Sequence, residues 1–136
     1  MIDTFRGRYH FLSNFYMTDG ISVEHLFQAA KTNDEEERLW VLGSKTPGEA
    51  KRRGRKVTLR DDWEDVKLDV MYALLKKKFS DPELAQKLLA TGTEMLIEGN
   101  VWHDNFWGHC SCYRCRDKDK KNYLGAMLMM VRDSLM

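Results

Sequence analysis

The chain has 136 residues, 43% of them apolar, with 22 Lys and Arg against 21 Asp and Glu for a formal net charge of +1. That length and composition describe a globular chain with a core of its own, and near-neutral charge excludes bulk attraction to nucleic acid or to a membrane surface. No apolar run approaches bilayer-spanning length and the opening MIDTFRGRYH has no apolar signal core, so a cytoplasmic protein of one domain, residues 1–136, is expected, without a membrane partner. The three cysteines lie within six residues, a poor disulfide framework that fits a reducing compartment.

From Ile2 to Met17 aromatic residues (Phe5, Tyr9, Phe11, Phe15, Tyr16) alternate with polar ones, which predicts one or two short strands. Asn14 sits there between apolar residues, where it either pins a turn or faces a ligand. Thr18-Asp19-Gly20 is a turn. Ser22 then caps a helix through SVEHLFQAAKT, Ser22 to Thr32. Val23, Leu26, Phe27 and Ala30 share one face, while Glu24, Gln28 and Lys31 share a second about 120° away. An acid, an amide and an amine thus project together, unless this is an ordinary surface helix.

Asn33 or Asp34 caps a second helix through Glu35–Glu37 to Leu42, closed by Gly43, with its acids at the positive end. Thr46-Pro47-Gly48-Glu49 reads as a capping box with Pro at the first helical position. That helix carries Lys51, Arg52 and Arg53, followed by Arg55 and Lys56: a solvated face, or a cradle for a phosphate or diphosphate. Asp61 or Asp62 starts the longest helix, to about Phe79, with Trp63, Val66, Val70 and Leu74 as its buried stripe. Asp81-Pro82 caps the next, with Leu84, Ala85, Leu88 and Leu89 inward and Gly92 closing it. Glu94 to Glu98 predicts a short strand before a Gly99-Asn100 turn, and a last helix runs from about Lys121 to Ser134 on Leu124, Leu128, Val131 and Leu135. The expected fold is α+β and helix-dominated, a single domain of five to six helices with a few short strands.

Trp102, Asp104, Asn105, Phe106 and Trp107 crowd one loop-like stretch, which either lines a pocket or plugs the core. Cys110, Cys112 and Cys115 follow as C-x-C-x₂-C, beside His109 and near His103. Three thiolates and one imidazole are a normal tetrahedral zinc set. Reduced free thiols are the other main reading, and a thiol activated by Arg114, Arg116 and Lys118 a third.

The ordered series FLSNFY, VEHLFQAAK, GRKVTLRDDWEDVK, KF, LLATG, LIEGNVWHDNFWG and KNYLGAMLMMVR resembles the YbiA-like family, also called the NADAR domain, along almost the whole chain. EHxFQxxK and WxDxFWG are its most specific parts. The resemblance implies a helix-rich α+β single-domain fold and N-glycosidase activity. Some members of the family are associated with cleaving phosphorylated early intermediates of riboflavin synthesis. Others remove ADP-ribose from guanine bases of nucleic acid, opposing ADP-ribosyltransferase toxins. The chain departs from the family in a shorter stretch between SNFY and VEH and in the cysteine segment, which replaces a short turn.

The resemblance gives the candidate residues a chemical sense. Breaking a ribose C1–N bond develops positive charge on the sugar, which a carboxylate stabilises. Glu24, in the first turn of its helix, suits that role or that of a base. Asp104 is the second carboxylate, for proton transfer. Lys31 can attack the anomeric carbon once the sugar ring opens and give a Schiff base. Arg6, Arg8, Asn14, Phe15, Gln28, Arg55, Trp63, Trp102, Trp107 and Asn122 complete the implied substrate-binding set. No cofactor is required, and zinc at the cysteines with His109 or His103 would be structural. The expected substrate is ADP-ribosylated guanine in nucleic acid, with an ADP-ribosyltransferase toxin as counterpart. A small phosphorylated ribosyl metabolite, a noncatalytic module binding NAD or ADP-ribose, and a zinc-dependent nucleic-acid binder are the alternatives.

Overall fold

The structure, a computed structural model, describes residues 1–136. The protein is a helix-rich α+β chain of six α-helices, two short 3₁₀ segments and one two-stranded sheet. No helix is long and apolar enough to cross a membrane. The chain forms two compact units, Asn14–Lys78 and Met1–Ser13 with Phe79–Met136.

The unit Asn14–Lys78 is all helical: α1 Val23–Ala29, α2 Glu35–Leu42, α3 Pro47–Gly54 and α4 Trp63–Lys78. Each of the first three starts on a side-chain cap. The Ser22 hydroxyl accepts from the His25 N–H, Asp34 from the Glu37 N–H, and Thr46 from the Glu49 N–H. The box expected at Thr46 is displaced by one residue, because the Glu49 carboxylate accepts from the Lys45 N–H. Ala29, Val41 and Ala50 form a small core where α1, α2 and α3 meet, with Leu42 and Val57 against it. Small residues there let three backbones come close.

α1 is shorter than expected. It ends at Ala29, and Lys31 lies in the following turn, whose N–H donates to the Gln28 carbonyl at 3.3 Å. Thr32 stops the helix: its hydroxyl accepts from the Asp34 N–H and donates to Glu37. α1 is also buried on most sides. Val23 and Phe27 face the core as expected, but Glu24, His25 and Gln28 are buried too. On α4 the inward residues are Trp63, Met71 and Leu75, with Val66, Val70 and Leu74 only half-buried. The stripe is turned by one residue because Trp63 packs on Phe27, ring centroids 5.0 Å apart, and Met71 meets the Asn14 amide.

The other unit holds α5 Pro82–Leu89, α6 Tyr123–Ser134 and the strands β1 Gly99–Asn100 and β2 His109–Cys110, which pair in parallel. Leu84 and Leu88 of α5 and Leu124, Met127, Leu128 and Val131 of α6 join Leu12, Phe79 and Leu96 among its buried apolar side chains. Buried Arg132 donates to the Thr91 hydroxyl at 2.9 Å. The strands expected in 2–17 are absent. Ile2 makes one bridge with Leu96, after which Gly7, at φ +57°, turns the chain into a 3₁₀ segment Gly7–Leu12. The strand expected at 94–98 reduces to that same bridge, and the expected turn at Gly99-Asn100 is β1 itself.

His25 fixes the position of α1. Its Nδ1 accepts from the Ser22 N–H at 3.2 Å, which leaves Nε2 to donate to the Ser44 carbonyl at 3.0 Å. His25→Ala should lower stability by about 1–3 kcal/mol, since it strands buried polar groups. Urea unfolding measures this, and an unchanged midpoint would contradict it.

Candidate functional site

Two side chains of α1, with the main chain of Asn14, set up an unusual buried polar cluster. The Glu24 N–H donates to the Asn14 carbonyl at 3.0 Å, so the chain before the helix is tied to its first turn. One turn on, Gln28 Nε2 donates to the Glu24 carboxylate at 2.8 Å. Glu24 is 8% exposed and Gln28 5%. Gly54 of α3 lies against Gln28 so closely that a Cβ there would stand 2.8 Å from the Gln28 Cδ. The Oε1 of Gln28 and the Oδ1 of Asn14 are both buried and accept no hydrogen bond. A buried acceptor without a partner typically costs about 1–3 kcal/mol, and each such atom in a native structure calls for a cause such as strain, a functional role or an ordered water.

Lys31 is half-buried in the turn after α1, held through its main chain by the Arg60 N–H at 2.7 Å. Burial lowers its pKa below the usual lysine range; Glu24 opposes that shift, while Arg55, Lys51 and Lys67 add to it. The result is an amine with an increased neutral fraction, next to one carboxylate and three cations. A neutral amine is a nucleophile, and fixed cations around it favour an anionic ligand. The basic run also borders a groove of about 420 Å³ lined by Trp40, Glu49, Arg52, Arg53, Arg55 and Lys56. There the Arg53 guanidinium lies 5.0 Å from the Trp40 ring centroid and 3.1 Å from Glu49.

Of the other candidates in this unit, Phe15 is exposed and Trp63 is buried against Phe27. Arg6, Arg8, Trp102, Asp104, Trp107 and Asn122 belong to the other unit. Arg6 and Arg8 are exposed, with Arg8 4.9 Å from the Tyr9 ring centroid. Asp104 Oδ1 accepts from the Phe106 and Trp107 N–H groups at 3.1 and 2.9 Å, which shapes the aromatic loop. Trp107 lies edge-on to Phe106, centroids 4.8 Å apart, and Trp102 is 50% exposed. Asn122, at φ +48°, binds main chain with both ends of its amide: Oδ1 accepts from the Glu98 N–H and Nδ2 donates to the Leu96 carbonyl, each at 3.0 Å. His103 joins Cys110, Cys112 and Cys115 in a cluster whose donor atoms lie within 4.8 Å of one another, and His109 is not part of it. Those four residues could hold a metal ion.

Sequence reasoning singled out Glu24, Gln28 and Lys31 but missed Lys67 and His25. Lys67 stands one turn after Trp63 on α4, so the packing of Trp63 on Phe27 is the clue to its place. The S-x-x-H spacing of Ser22 and His25 was the clue to the capping box.

The family profile described as the NADAR domain matches residues 4–136. The chain is 38% identical over 128 residues to the chloroplastic riboflavin biosynthesis protein PYRR of Zea mays, covering 85% of this chain but only 20% of the maize protein. It is 38% identical over 120 residues to an N-glycosidase of Nostoc punctiforme, covering 84% of this chain and 73% of that one. The NMR structure of the E. coli protein YbiA is similar at a TM-score of 0.79 and 35% identity, over 98% of this chain and 84% of YbiA.

The charges around Lys31 predict two opposite shifts. Lys51→Met removes a neighbouring cation and should raise the Lys31 midpoint, whereas Glu24→Gln removes the anion and should lower it. An NMR titration of the lysine Nζ groups reads both. Shifts in one direction for both variants would contradict this arrangement.

Proposed function

The chain belongs to the NADAR-domain family, and from that premise we propose that it is an N-glycosidase that hydrolyses the C1–N bond of a phosphorylated ribosyl compound. The observation that carries this is Lys31, an amine with a lowered pKa placed beside Glu24 and among Arg55, Lys51 and Lys67. Lys31 Nζ attacks the anomeric carbon as a neutral amine, and the C1–N bond to the base breaks as the base nitrogen leaves with a proton. The ring C1–O4 bond of this adduct then breaks as the hydrogen on Nζ passes to O4, giving a Schiff base; water adds to C1, the bond to Nζ breaks, and the sugar is released as the aldehyde, which recloses, with the amine restored. Glu24 stabilises the positive charge that builds on the sugar, a kind of contribution worth about 10²–10³ in kcat. The amine, carboxylate and water supply every bond change, so the reaction calls on no cofactor.

The substrate we favour is ADP-ribosylated guanine in nucleic acid. Arg52, Arg53, Arg55 and Lys56 line a groove of about 420 Å³, and several guanidinium forks together suit a diphosphate. The enzyme would then undo the work of an ADP-ribosyltransferase, in a reducing compartment such as the cytoplasm. A small phosphorylated intermediate of riboflavin synthesis is the second reading, favoured by the name of the maize relative.

The test offers the protein a DNA oligonucleotide carrying ADP-ribosyl guanine and, separately, a phosphorylated ribosylamino-pyrimidine. We expect free ADP-ribose and restored oligonucleotide from the intact protein, and a loss of about 10²–10³-fold in Glu24→Gln. Turnover of the pyrimidine alone would move the assignment to the second reading. Binding of ADP-ribose by folded protein with turnover of neither compound would contradict N-glycosidase function.

A further inference from the structure

The cluster at His103, Cys110, Cys112 and Cys115 stands apart from the proposed chemistry and has a geometry of its own. His103 Nδ1 lies 3.3 Å from Cys115 Sγ, 3.4 Å from Cys112 Sγ and 3.9 Å from Cys110 Sγ. An imidazole nitrogen has one proton or one lone pair, so it can make one good hydrogen bond, not three. What satisfies all three sulfurs and the nitrogen at once is an ion among them. A tetrahedral zinc with Zn–S of about 2.3 Å and Zn–N of about 2.0–2.1 Å puts its sulfurs about 3.6 Å from its nitrogen. The observed distances bracket that value, and all four donor atoms lie within 4.8 Å of one another. That spread fits a single ion and is tight for a multi-iron cluster.

The loop is built to present these donors. His103 has φ +71°, a conformation that a side-chain-bearing residue rarely adopts unless its surroundings hold it. Its N–H donates to Cys110 Sγ at 3.3 Å, as main-chain amides do toward thiolate. The Cys110 N–H donates to Asn105 Oδ1 at 2.9 Å, which anchors β2 to the aromatic loop. Cys112 and Cys115 flank one 3₁₀ turn, in which the Cys115 N–H donates to the Cys112 carbonyl at 3.1 Å. Cys110 and Cys115 are buried, Cys112 is half-buried and His103 is exposed, so the sulfurs are sheltered and the imidazole closes the site on its solvent side.

We propose that His103, Cys110, Cys112 and Cys115 bind one structural zinc ion, which clamps the segment 102–116 in place. Soft thiolates with one imidazole in a four-donor set select zinc over magnesium or calcium. All four positions are filled by protein, which makes the site structural and not catalytic. Binding takes the proton from each of the three thiols and releases it to solvent. The clamp fixes His103 between Trp102 and Asp104, so the metal sets the shape of the loop that carries them.

The test begins with intact protein purified under reducing conditions without chelator or added metal. Elemental analysis should find about one zinc per chain. A strong chelator should release it, expose three thiols to reagent and lower the Tm. Cobalt added to the metal-free protein should give tetrahedral d–d bands with thiolate-to-cobalt charge transfer. Cys115→Ser and His103→Ala should lose the metal, and His109→Ala should keep it. The intact-protein measurements decide the matter even where a ligand variant fails to fold. Zinc well below one per chain with no cobalt bands would overturn the proposal, as would iron in place of zinc or loss of metal in His109→Ala alone.

Discussion

Gln28 donates a hydrogen bond to Glu24 one turn away, inside a helical unit where both side chains are more than nine-tenths buried. That contact constrains its surroundings. Gln28 can lie flat only because α3 brings Gly54 against it, and Glu24 is held because its N–H is tied to Asn14. α1 can point polar residues inward because its position is secured by other means. His25 locks it to Ser44, Phe27 packs on Trp63, and the small core of Ala29, Val41 and Ala50 draws three helices together. The apolar contacts stabilise the unit, and the buried acid and amide, with Lys31 half-buried beside them, are what they hold in place.

Lys31 gains its character from the same arrangement. Desolvation lowers its pKa and three nearby cations add to the effect, while the Glu24 carboxylate limits it. An amine held in that balance can be neutral when it attacks and charged when it binds an anion. Two buried acceptor oxygens, on Asn14 and Gln28, lack a donor within the protein. The one on Gln28 lies against Gly54. The proposed C1–N hydrolysis thus draws on an amine and a carboxylate from one helix and its flank.

Four of the six helices were legible in the sequence by their caps, because Ser22, Asp34, Thr46 and Asp81 cap where expected, and α4 and α6 by their apolar spacing alone. The strands were not, since aromatic alternation at Tyr9 and Phe11 cannot reveal that Gly7 turns the chain before pairing extends past Ile2. The residue set Glu24, Gln28 and Lys31 was visible by spacing, but its burial was not, because burial of an amphipathic helix's polar face depends on α3 and Gly54. Lys67 comes from a distant segment that only tertiary packing brings into range. At the cysteines the sequence left His103 and His109 equal as ligands. The donor atoms decide between them, since the His103 imidazole lies among the three sulfurs and that of His109 does not.

The central claim is that Lys31 acts as a nucleophile and not only as a charge. The most direct measurement is reductive trapping with cyanoborohydride during turnover, followed by mass spectrometry of peptides. A covalent sugar adduct confined to the peptide containing Lys31, and lost in Lys31→Ala along with turnover, is the predicted result. Undiminished turnover by Lys31→Ala, with no adduct on the intact protein, would contradict the claim and assign the attack to water.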